Sequence, residues 1–386
     1  MHRIYLDNAA STPLSPAVRE AMAPFLAQSF GNPSSAHRLG VEAEEAIDRA
    51  RELVARAVGA RARNVIFTSG GTEANNLAVI GGARARKTAG RHLIVGPTEH
   101  ASVRKAALAL ENEGFEVSFA RLDAQGALDQ GHLATILRED TVLVAQMLVS
   151  NEFGSIYPVR DVARLVRTRA PHALVHIDAV QGLGKRELSI TELGCHTLAI
   201  SAHKVHGPKG TGALIVSDGV QLEPLLHGGP QEHGLRAGTE NPAGIVGLGR
   251  AAADAEGSRE QTVAHLTALR ELFVQLIERL PGAKLLEPGT PQQAMMPGII
   301  TTFLPGVPSS VRLHHLDERG VLASAGAACN AKRKDVNPAL LAAGLDADDS
   351  RRVLRFSLAA TTAEEEVRHA LRVIEELHHE LEAVES

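Results

Sequence analysis

The 386-residue chain has no tryptophan, only 3% aromatic residues and only two cysteines. So few aromatic rings argue against the stacking platforms that bind single-stranded nucleic acids. Two cysteines cannot form the disulfide framework of a small secreted protein. The longest apolar stretch, residues 141–149, is far shorter than the roughly 20 residues of a membrane-spanning helix. We therefore expect a cytoplasmic protein that binds neither nucleic acid nor membrane.

Short apolar runs alternate with helical patterns over the first two thirds of the chain. The runs lie at residues 64–68, 93–95, 117–119, 142–149, 174–178, 198–201 and 213–216. Continuously apolar strands with helices between them are typical of a mostly parallel sheet that is covered on both faces. We predict a large α/β domain over residues 1–258 and a smaller α+β domain over residues 259–386. The first residues of the chain are expected to pack on the small domain.

Capping residues predict where several helices begin and end. Ser15 and Pro16 predict the N-cap and first turn of a helix that ends near residue 28. Gly59 predicts the end of a helix over residues 35–58, and a further helix is predicted over residues 72–86. In the second half, a helical pattern covers residues 241–280. It is followed by a strand at 299–303, a helix at 309–319, a strand at 353–358 and a helix from 362.

Two predicted strands lead into residues suited to pyridoxal phosphate. Lys204 follows one of these strands and Asp178 ends another, and ligands of open α/β sheets bind beyond the carboxyl ends of strands. A lysine can form a Schiff base with a carbonyl group, and a carboxylate can hold the cofactor's pyridine nitrogen protonated. Alone, Lys204 is equally well explained as a solvated lysine and Asp178 as a helix N-cap. The pair favours the cofactor.

Other segments carry weaker signals. The turn TSGGTEANN at residues 68–76 leads from a strand into a helix, where backbone N–H groups favour a phosphate. His100 also follows a strand and is either a ring-stacking group or a structural histidine. Cys329, among small residues, is predicted to be a reachable nucleophile, whereas Cys195 is predicted to be buried and inert. The sequence has no HExxH or CxxC motif, which disfavours a catalytic metal.

Taken together, these segments resemble the cysteine desulfurases of the NifS/IscS type, which are fold-type-I, class V aminotransferase-like enzymes. The resemblance spans nearly the whole chain. It rests on YLDNAAST at 5–12, FGNPSSAH at 30–37, SGGTEANN at 69–76, EHAS at 99–102, SNEFG at 150–154, HIDAVQ at 176–181, SAHK at 201–204, HGGPQEHGLRAGTEN at 227–241, the Cys329 segment and VLRFS at 353–357. It implies a seven-stranded central sheet and a homodimer that binds pyridoxal 5'-phosphate.

The resemblance also implies a reaction and its residues. L-cysteine would become L-alanine, with its sulfur left as a persulfide on Cys329 for a protein acceptor such as an iron–sulfur scaffold or a tRNA-thiolation enzyme. Lys204 would bind the cofactor and take the Cα proton, Asp178 would pair with the pyridine nitrogen, and His100 would stack on the ring. The other implied contacts are Gln181 and Asn151 to the ring oxygen; Gly71, Thr72, Ser201, His203 and the other subunit's Thr239 to the phosphate; and Asn32, Asn151 and Arg355 to the substrate carboxylate.

The segment around Cys329 departs from the family pattern. It reads SAGAAC where one subgroup has SSGSAC, so two hydroxyl groups are missing before the nucleophile. Lys332, Arg333 and Lys334 follow it; they either raise the thiolate fraction of Cys329, attract an acidic acceptor, or are merely solvated. We expect this segment to be mobile, because the thiol must reach both substrate and acceptor. A selenocysteine lyase, a transaminase and an inactive interaction subunit are the alternatives.

Overall fold

The computed structural model describes residues 3–289, 295–325 and 337–385. The strands are β1 (Ile4–Tyr5), β2 (Val65–Thr68), β3 (His92–Val95), β4 (Glu116–Phe119), β5 (Thr141–Met147), β6 (Leu174–Asp178), β7 (Thr197–Ser201), β8 (Gly212–Val216), β9 (Lys284–Leu285), β10 (Ile299–Phe303), β11 (Val321–Leu322), β12 (Ser324–Ala325) and β13 (Val353–Ser357).

Helices connect these strands. They are α1 (Pro16–Ala27), α2 (Arg38–Ala57), α3 (Gly71–Asn76), α4 (Gly82–Arg84), α5 (Ala101–Ala109), α6 (Gln130–Ile136), α7 (Val159–Arg169), α8 (Ile190–Leu193), α9 (Pro242–Gly257), α10 (Arg259–Ile277), α11 (Ser309–Glu318), α12 (Pro338–Ala342), α13 (Ala347–Ser350) and α14 (Glu364–Glu385). Within the described ranges, no helix is both long enough and apolar enough to cross a membrane.

The central sheet contains seven strands in the order β2-β8-β7-β6-β5-β3-β4. Only β8 is antiparallel to its neighbours, β2 and β7; the other pairs are parallel. Successive side chains of β2 enter different apolar clusters, since Val65 and Phe67 pack on one face and Ile66 on the other. Both faces are therefore buried, which confirms the predicted mostly parallel, seven-stranded sheet.

A second sheet organises the carboxyl-terminal part of the chain. Its strand order is β12-β13-β10-β9, and every neighbouring pair is antiparallel. The apolar cluster beneath it includes Phe273 and Phe356, whose ring centroids lie 5.3 Å apart. Ile4 and Leu6 belong to the same cluster, and β1 pairs with β11. The first described residues thus pack on carboxyl-terminal elements.

Helix boundaries follow the local capping contacts. The α1 prediction is confirmed, because Ser15 Oγ accepts a hydrogen bond from the Val18 N–H at 3.1 Å. The predicted start of α2 was wrong by three residues: His37 is the N-cap and its Nδ1 accepts from the Gly40 N–H. The single helix predicted over residues 241–280 is two helices, since Ser258 takes a non-helical conformation between α9 and α10.

The helix predicted over residues 72–86 is also interrupted. A wider π-helical turn, Leu77–Gly81, joins α3 to α4. Such turns are rare and give no signal in apolar periodicity, which explains the difference. The interruption leaves the first turn of α3, at the end of β2, in the predicted place.

Candidate active site

A cavity of about 520 Å³ lies beyond the carboxyl ends of β6 and β7. Its lining includes most of the residues assigned to a cofactor from the sequence: Gly71, Thr72, His100, Asn151, Asp178, Gln181, Ser201, His203 and Lys204. Asp178 is the last residue of β6, and Ser201 is the last residue of β7. The parallel register of these strands brings their ends together at one edge of the sheet.

Asp178 is held by hydrogen bonds on both carboxylate oxygens. Its Oδ1 accepts from the Val180 N–H at 3.0 Å, and its Oδ2 accepts from Asn75 Nδ2 at 2.7 Å. The side chain is buried. An acceptor fixed in this way can pair with a protonated ring nitrogen without reorganising, because its geometry is set before the ligand arrives.

Lys204 reaches the cavity from a single helical turn after β7, Ala202–Lys204. Its Nζ donates to the carbonyl oxygens of Ala9 at 2.5 Å and Ala10 at 2.8 Å. Gln181 Nε2 donates to the same Ala9 carbonyl at 2.9 Å. The segment after β1 therefore positions the lysine amine, although the sequence argument gave this segment no role of its own.

The histidines of the cavity are held in their neutral form. Burial lowers the pKa of His100, and the nearby Lys204 lowers it further, against the opposing effect of Asp178. For His203, burial together with the charges of Lys204 and Lys209 lowers the pKa to about 4. At pH 7 both rings therefore present one N–H donor and one acceptor nitrogen.

Two buried polar atoms in the lining of the cavity make no hydrogen bond to the described residues. Ser201 Oγ and Gln181 Oε1 have no hydrogen-bond partner within the part of the chain that the structure describes. Buried polar atoms are nearly always paired, so a polar ligand in the cavity would account for both. Gly71 has no side chain to fill the space beside these atoms. A Cβ at this position would lie 2.8 Å from Val180 Cγ2, which is too close. These residues fit a flat ligand with a phosphate group at the start of α3.

Three residues assigned from the sequence do not line this cavity. Thr239 is exposed and lines a smaller cavity of about 150 Å³, which also includes Ser69 and Gly210. Asn32 is exposed, and its Oδ1 accepts from the Ser34 N–H. Arg355 is buried on β13 beside the cavity, where its Nη1 donates to the Asn151 carbonyl at 2.9 Å.

Arg355 is surrounded by acidic groups. Its Nη2 lies 3.2 Å from Asp7 Oδ1, and its Nη1 lies 3.7 Å from Glu152 Oε2. Burial raises the pKa of Asp7, and Arg355 opposes that rise. The Nε of Arg355 has no partner among the described residues. The guanidinium thus retains a donor beside Asn151, which itself lines the cavity.

The structure describes only one of the two cysteines, Cys195. Cys195 is buried, and burial raises the pKa of its thiol to about 12. This confirms the prediction of a buried thiol. Cys329, with Lys332, Arg333 and Lys334, lies outside the described residues. The predicted reach and mobility of that segment stay predictions.

Comparison with known proteins decides the family. Residues 4–369 match the family described as "Aminotransferase class-V". A cysteine desulfurase IscS from Dictyoglomus turgidum is 39% identical over 99% of this chain and 96% of the relative. The chain belongs to the class-V aminotransferase family. Within it, the chain is a member of the cysteine desulfurases of the NifS/IscS type, as its motifs indicated.

Solved structures of this family share the fold. One, described as a NifS-like protein, superposes with a TM-score of 0.90 at 36% identity and covers 97% of this chain and 99% of its own. Another, described as "SspA in complex with cysteine", has a TM-score of 0.81 at 33% identity and covers 93% of this chain and 100% of its own. The fold-type-I architecture is thereby confirmed.

Sequence reasoning missed several residues of this class-V site. Asn75 contacts Asp178 and Ser102, and His176 contacts Asn75 from behind. Glu99, next to His100, is buried, and burial with repulsion from Asp178 raises its pKa to about 8. Asn75, Glu99 and His176 stand in motifs that carried the family resemblance. Their contacts cross from one element to another, so spacing along the chain gave no sign of them.

Proposed function

We propose that this member of the cysteine desulfurase family uses pyridoxal 5'-phosphate to convert L-cysteine into L-alanine and places the sulfur on Cys329. The observation that carries this proposal is that Lys204 and Asp178 line one cavity, in which the buried Ser201 Oγ has no hydrogen-bond partner among the described residues. The similarity to a protein solved in complex with cysteine supports the substrate. The reaction balances: the substrate C–S bond breaks, a Cys329 Sγ–S bond forms, and alanine leaves.

Different residues of the cavity would contact different parts of the cofactor. Lys204 Nζ would bind it covalently, Asp178 would hold the pyridine nitrogen protonated, and His100 would lie against the ring. Contacts to the ring oxygen would come from Gln181 and Asn151, and contacts to the phosphate from Gly71, Thr72, Ser201 and His203. When bound, pyridoxal phosphate supplies an electron sink for charge that develops at the substrate Cα.

Lys204 has a second task as the base. With the cofactor and substrate bound, its Nζ would lie beside the substrate Cα, so that proximity replaces a bimolecular encounter. The carbonyl oxygens of Ala9 and Ala10 accept hydrogen bonds from Nζ and so orient the amine. Nζ then takes the Cα proton and holds it beside these acceptors.

The substrate carboxylate would be bound by Arg355 together with Asn32 and Asn151. A guanidinium suits a carboxylate because it donates two parallel hydrogen bonds. Arg355 is anchored by the Asn151 carbonyl and by Asp7, and its Nε, which has no partner among the described residues, can donate to a further acceptor. Asn32 is on the surface of the single chain, so its contribution requires a rearrangement or a second subunit.

A homodimer accounts for the exposed position of Thr239. Its loop would reach the phosphate of the neighbouring subunit. Leu26 and Phe30 support an interface, since they are large apolar residues with 69% and 75% of their surface exposed. Cofactor affinity is expected to fall on dilution below the dimer dissociation constant. Full cofactor occupancy in a demonstrated monomer would refute the shared site.

Three further assignments belong to this proposal. The persulfide is delivered to a protein acceptor such as an iron–sulfur scaffold. The protein is cytoplasmic, as the two cysteines suggest. The boundary between the large and small domains lies near residue 258, between α9 and α10, and the separate apolar clusters around the two main sheets support it.

Alanine and sulfide assays with single variants test the function. Wild type and Cys195→Ala should form alanine from L-cysteine with a reductant present, while Lys204→Ala and Cys329→Ala should not. The exposed Lys105→Ala is the matched lysine control. A Lys204→Ala protein with native turnover overturns the proposal. Turnover of selenocysteine by Cys329→Ala at the wild-type rate would instead identify a selenocysteine lyase.

A further inference from the structure

A continuous chain of hydrogen bonds connects β7 to the cavity through three other elements. Thr197 Oγ1 lies 3.0 Å from His176 Nδ1, and His176 Nε2 lies 3.0 Å from Asn75 Oδ1. Asn75 Nδ2 donates to Asp178 and, at 2.8 Å, to Ser102 Oγ. This series of hydrogen bonds ends at His100, whose Nδ1 lies 2.8 Å from Ser102 Oγ.

The donor and the acceptor of each hydrogen bond can be assigned one after another, beginning at Asp178. Both oxygens of Asp178 accept hydrogen bonds, and the amide nitrogen of Asn75, not its oxygen, faces Oδ2. The amide oxygen then faces His176 Nε2, which must donate. Burial lowers the pKa of His176 to about 4, so the ring is neutral. Its Nδ1 is therefore the acceptor of the Thr197 hydroxyl.

The same logic fixes Ser102 and His100. The Ser102 oxygen accepts from Asn75, so its hydroxyl hydrogen is available for His100 Nδ1. The Ser102 backbone N–H also donates to that nitrogen, at 3.1 Å. Two donors converge on Nδ1, which therefore carries no proton. In the neutral ring the proton must be on Nε2, and Nε2 has no hydrogen-bond partner among the residues that the structure describes.

We propose that Asn75 and Ser102 are positioning residues that hold His100 as the Nε2-protonated tautomer, so that it presents an N–H donor to a ligand in the cavity. The opposite tautomer would set the His100 Nδ1–H against the Ser102 N–H. The proposal deepens the proposed function, on which the importance of His100 rests. It adds that Asp178 and His100 are connected through the side chains of Asn75 and Ser102.

The tautomer can be read directly by NMR on the protein without cofactor. Protein labelled with ¹⁵N-histidine is recorded in two-bond ¹H–¹⁵N correlation spectra at pH 7.5, and His100 is assigned by its loss in His100→Gln. We expect the Nδ1 signal of an unprotonated nitrogen and the Nε2 signal of a protonated one. A protonated Nδ1 on His100 in the wild-type protein overturns the proposal, whatever any variant does.

Variants separate positioning from general structure. Ser102→Ala removes the hydroxyl donor but keeps the backbone N–H, so a measurable Nδ1-protonated fraction of His100 should appear, and Ser102→Thr should restore the wild-type spectrum. Asn75→Ala should also shift the His100 signals. The matched control is Ser118→Ala, which removes a serine from the ring of His92 at 2.9 Å and should alter His92 alone.

The outcomes remain distinct from those of the turnover assay. Unchanged His100 signals in both Ser102→Ala and Asn75→Ala contradict the positioning roles, even if the wild type turns over cysteine. The predicted tautomer without any desulfurase activity would leave this inference intact and reject the proposed function. Cofactor titration of the same variants adds a second readout: Asn75→Ala should weaken pyridoxal phosphate binding, and Ser118→Ala should not.

Discussion

Arg51 and Glu232 form a bidentate ion pair, with Nη1–Oε2 and Nη2–Oε1 distances of 2.8 and 2.9 Å. Arg51 lies on α2 and Glu232 begins the loop that leads to Thr239. Glu232 Oε2 also accepts from the Phe67 N–H on β2 at 2.8 Å. One buried carboxylate therefore fixes this loop to the strand that leads into the turn at Gly71.

Truncation of either partner is expected to destabilise the fold strongly. Glu232→Ala leaves Arg51 without its partner, and breaking a buried pair typically costs about 3–5 kcal/mol. Urea unfolding measures the loss, and the Arg51→Ala, Glu232→Ala cycle isolates the pair. Arg63→Ala, which breaks an exposed pair with Asp218, should leave the free energy of unfolding nearly unchanged. Equal effects of the exposed and buried variants would contradict this account.

Gly71 should be required for cofactor binding because of the space beside it. In Gly71→Ala the new Cβ would meet Val180 Cγ2 at 2.8 Å, and overpacking of this kind costs about 1–3 kcal/mol. Pyridoxal phosphate affinity, followed by equilibrium dialysis, should fall. Adding Val180→Ala should recover most of it. Gly257→Ala, with open space around its Cβ position, is the control. No recovery in the double variant would reject the steric explanation.

Arg355→Lys tests the assignment of the substrate carboxylate. Lysine keeps the positive charge but loses the paired donors, and hydrogen bonds to charged groups contribute about 1.5–3 kcal/mol each. We expect KM for L-cysteine to rise about tenfold or more, with a smaller change in kcat. Arg352→Lys, three residues earlier with its Nε on the Gly306 carbonyl, should leave KM unchanged. A fall in kcat alone would point to a structural role.

The fold followed from the sequence more closely than the contacts inside the site. Continuous apolar strands such as 174–178 and glycines such as Gly59 are local signals, and the structure places β6 and the end of α2 where they predict. The break at Ser258 falls at a local signal, the pair Gly257 and Ser258, and at the predicted domain boundary. The helical periodicity of residues 241–280 runs across this pair, and for that reason a single helix was predicted.

The residues of the cavity also differ in whether a local sequence signal identified them. Asp178 and Lys204 were identified from local patterns, because Asp178 ends one predicted strand and Lys204 follows another. Asn75 and Glu99 were not, because their roles depend on Asp178, which is distant from both in the sequence and 103 residues from Asn75. Arg355 and Thr239 were assigned through the family resemblance alone, and neither lines the Lys204 cavity of the single chain. Through-space contacts of this kind cannot be read from spacing.

Glu99 should make the stability of the protein fall as the pH rises. Burial and the charge of Asp178 raise its pKa from 4.5 to about 8, against the opposing hydrogen bond from the Met147 N–H. Between these two values the folded protein keeps a proton that the unfolded chain has released. Folding therefore binds a proton in that range, and the free energy of unfolding must decrease with increasing pH until the folded carboxyl has titrated.

Glu99→Gln removes this titration and should flatten the curve. Urea unfolding between pH 5 and pH 9 should show wild type losing a few kcal/mol relative to Glu99→Gln, since one pKa unit corresponds to about 1.4 kcal/mol. The stabilities should diverge through neutral pH and run parallel once the pH exceeds the folded pKa. Glu44→Gln, at an exposed carboxylate of α2, should follow the wild-type curve. Parallel curves for wild type and Glu99→Gln over the whole range would show that Glu99 is ionised in the folded protein, and its place beside Asp178 would then need a cationic partner.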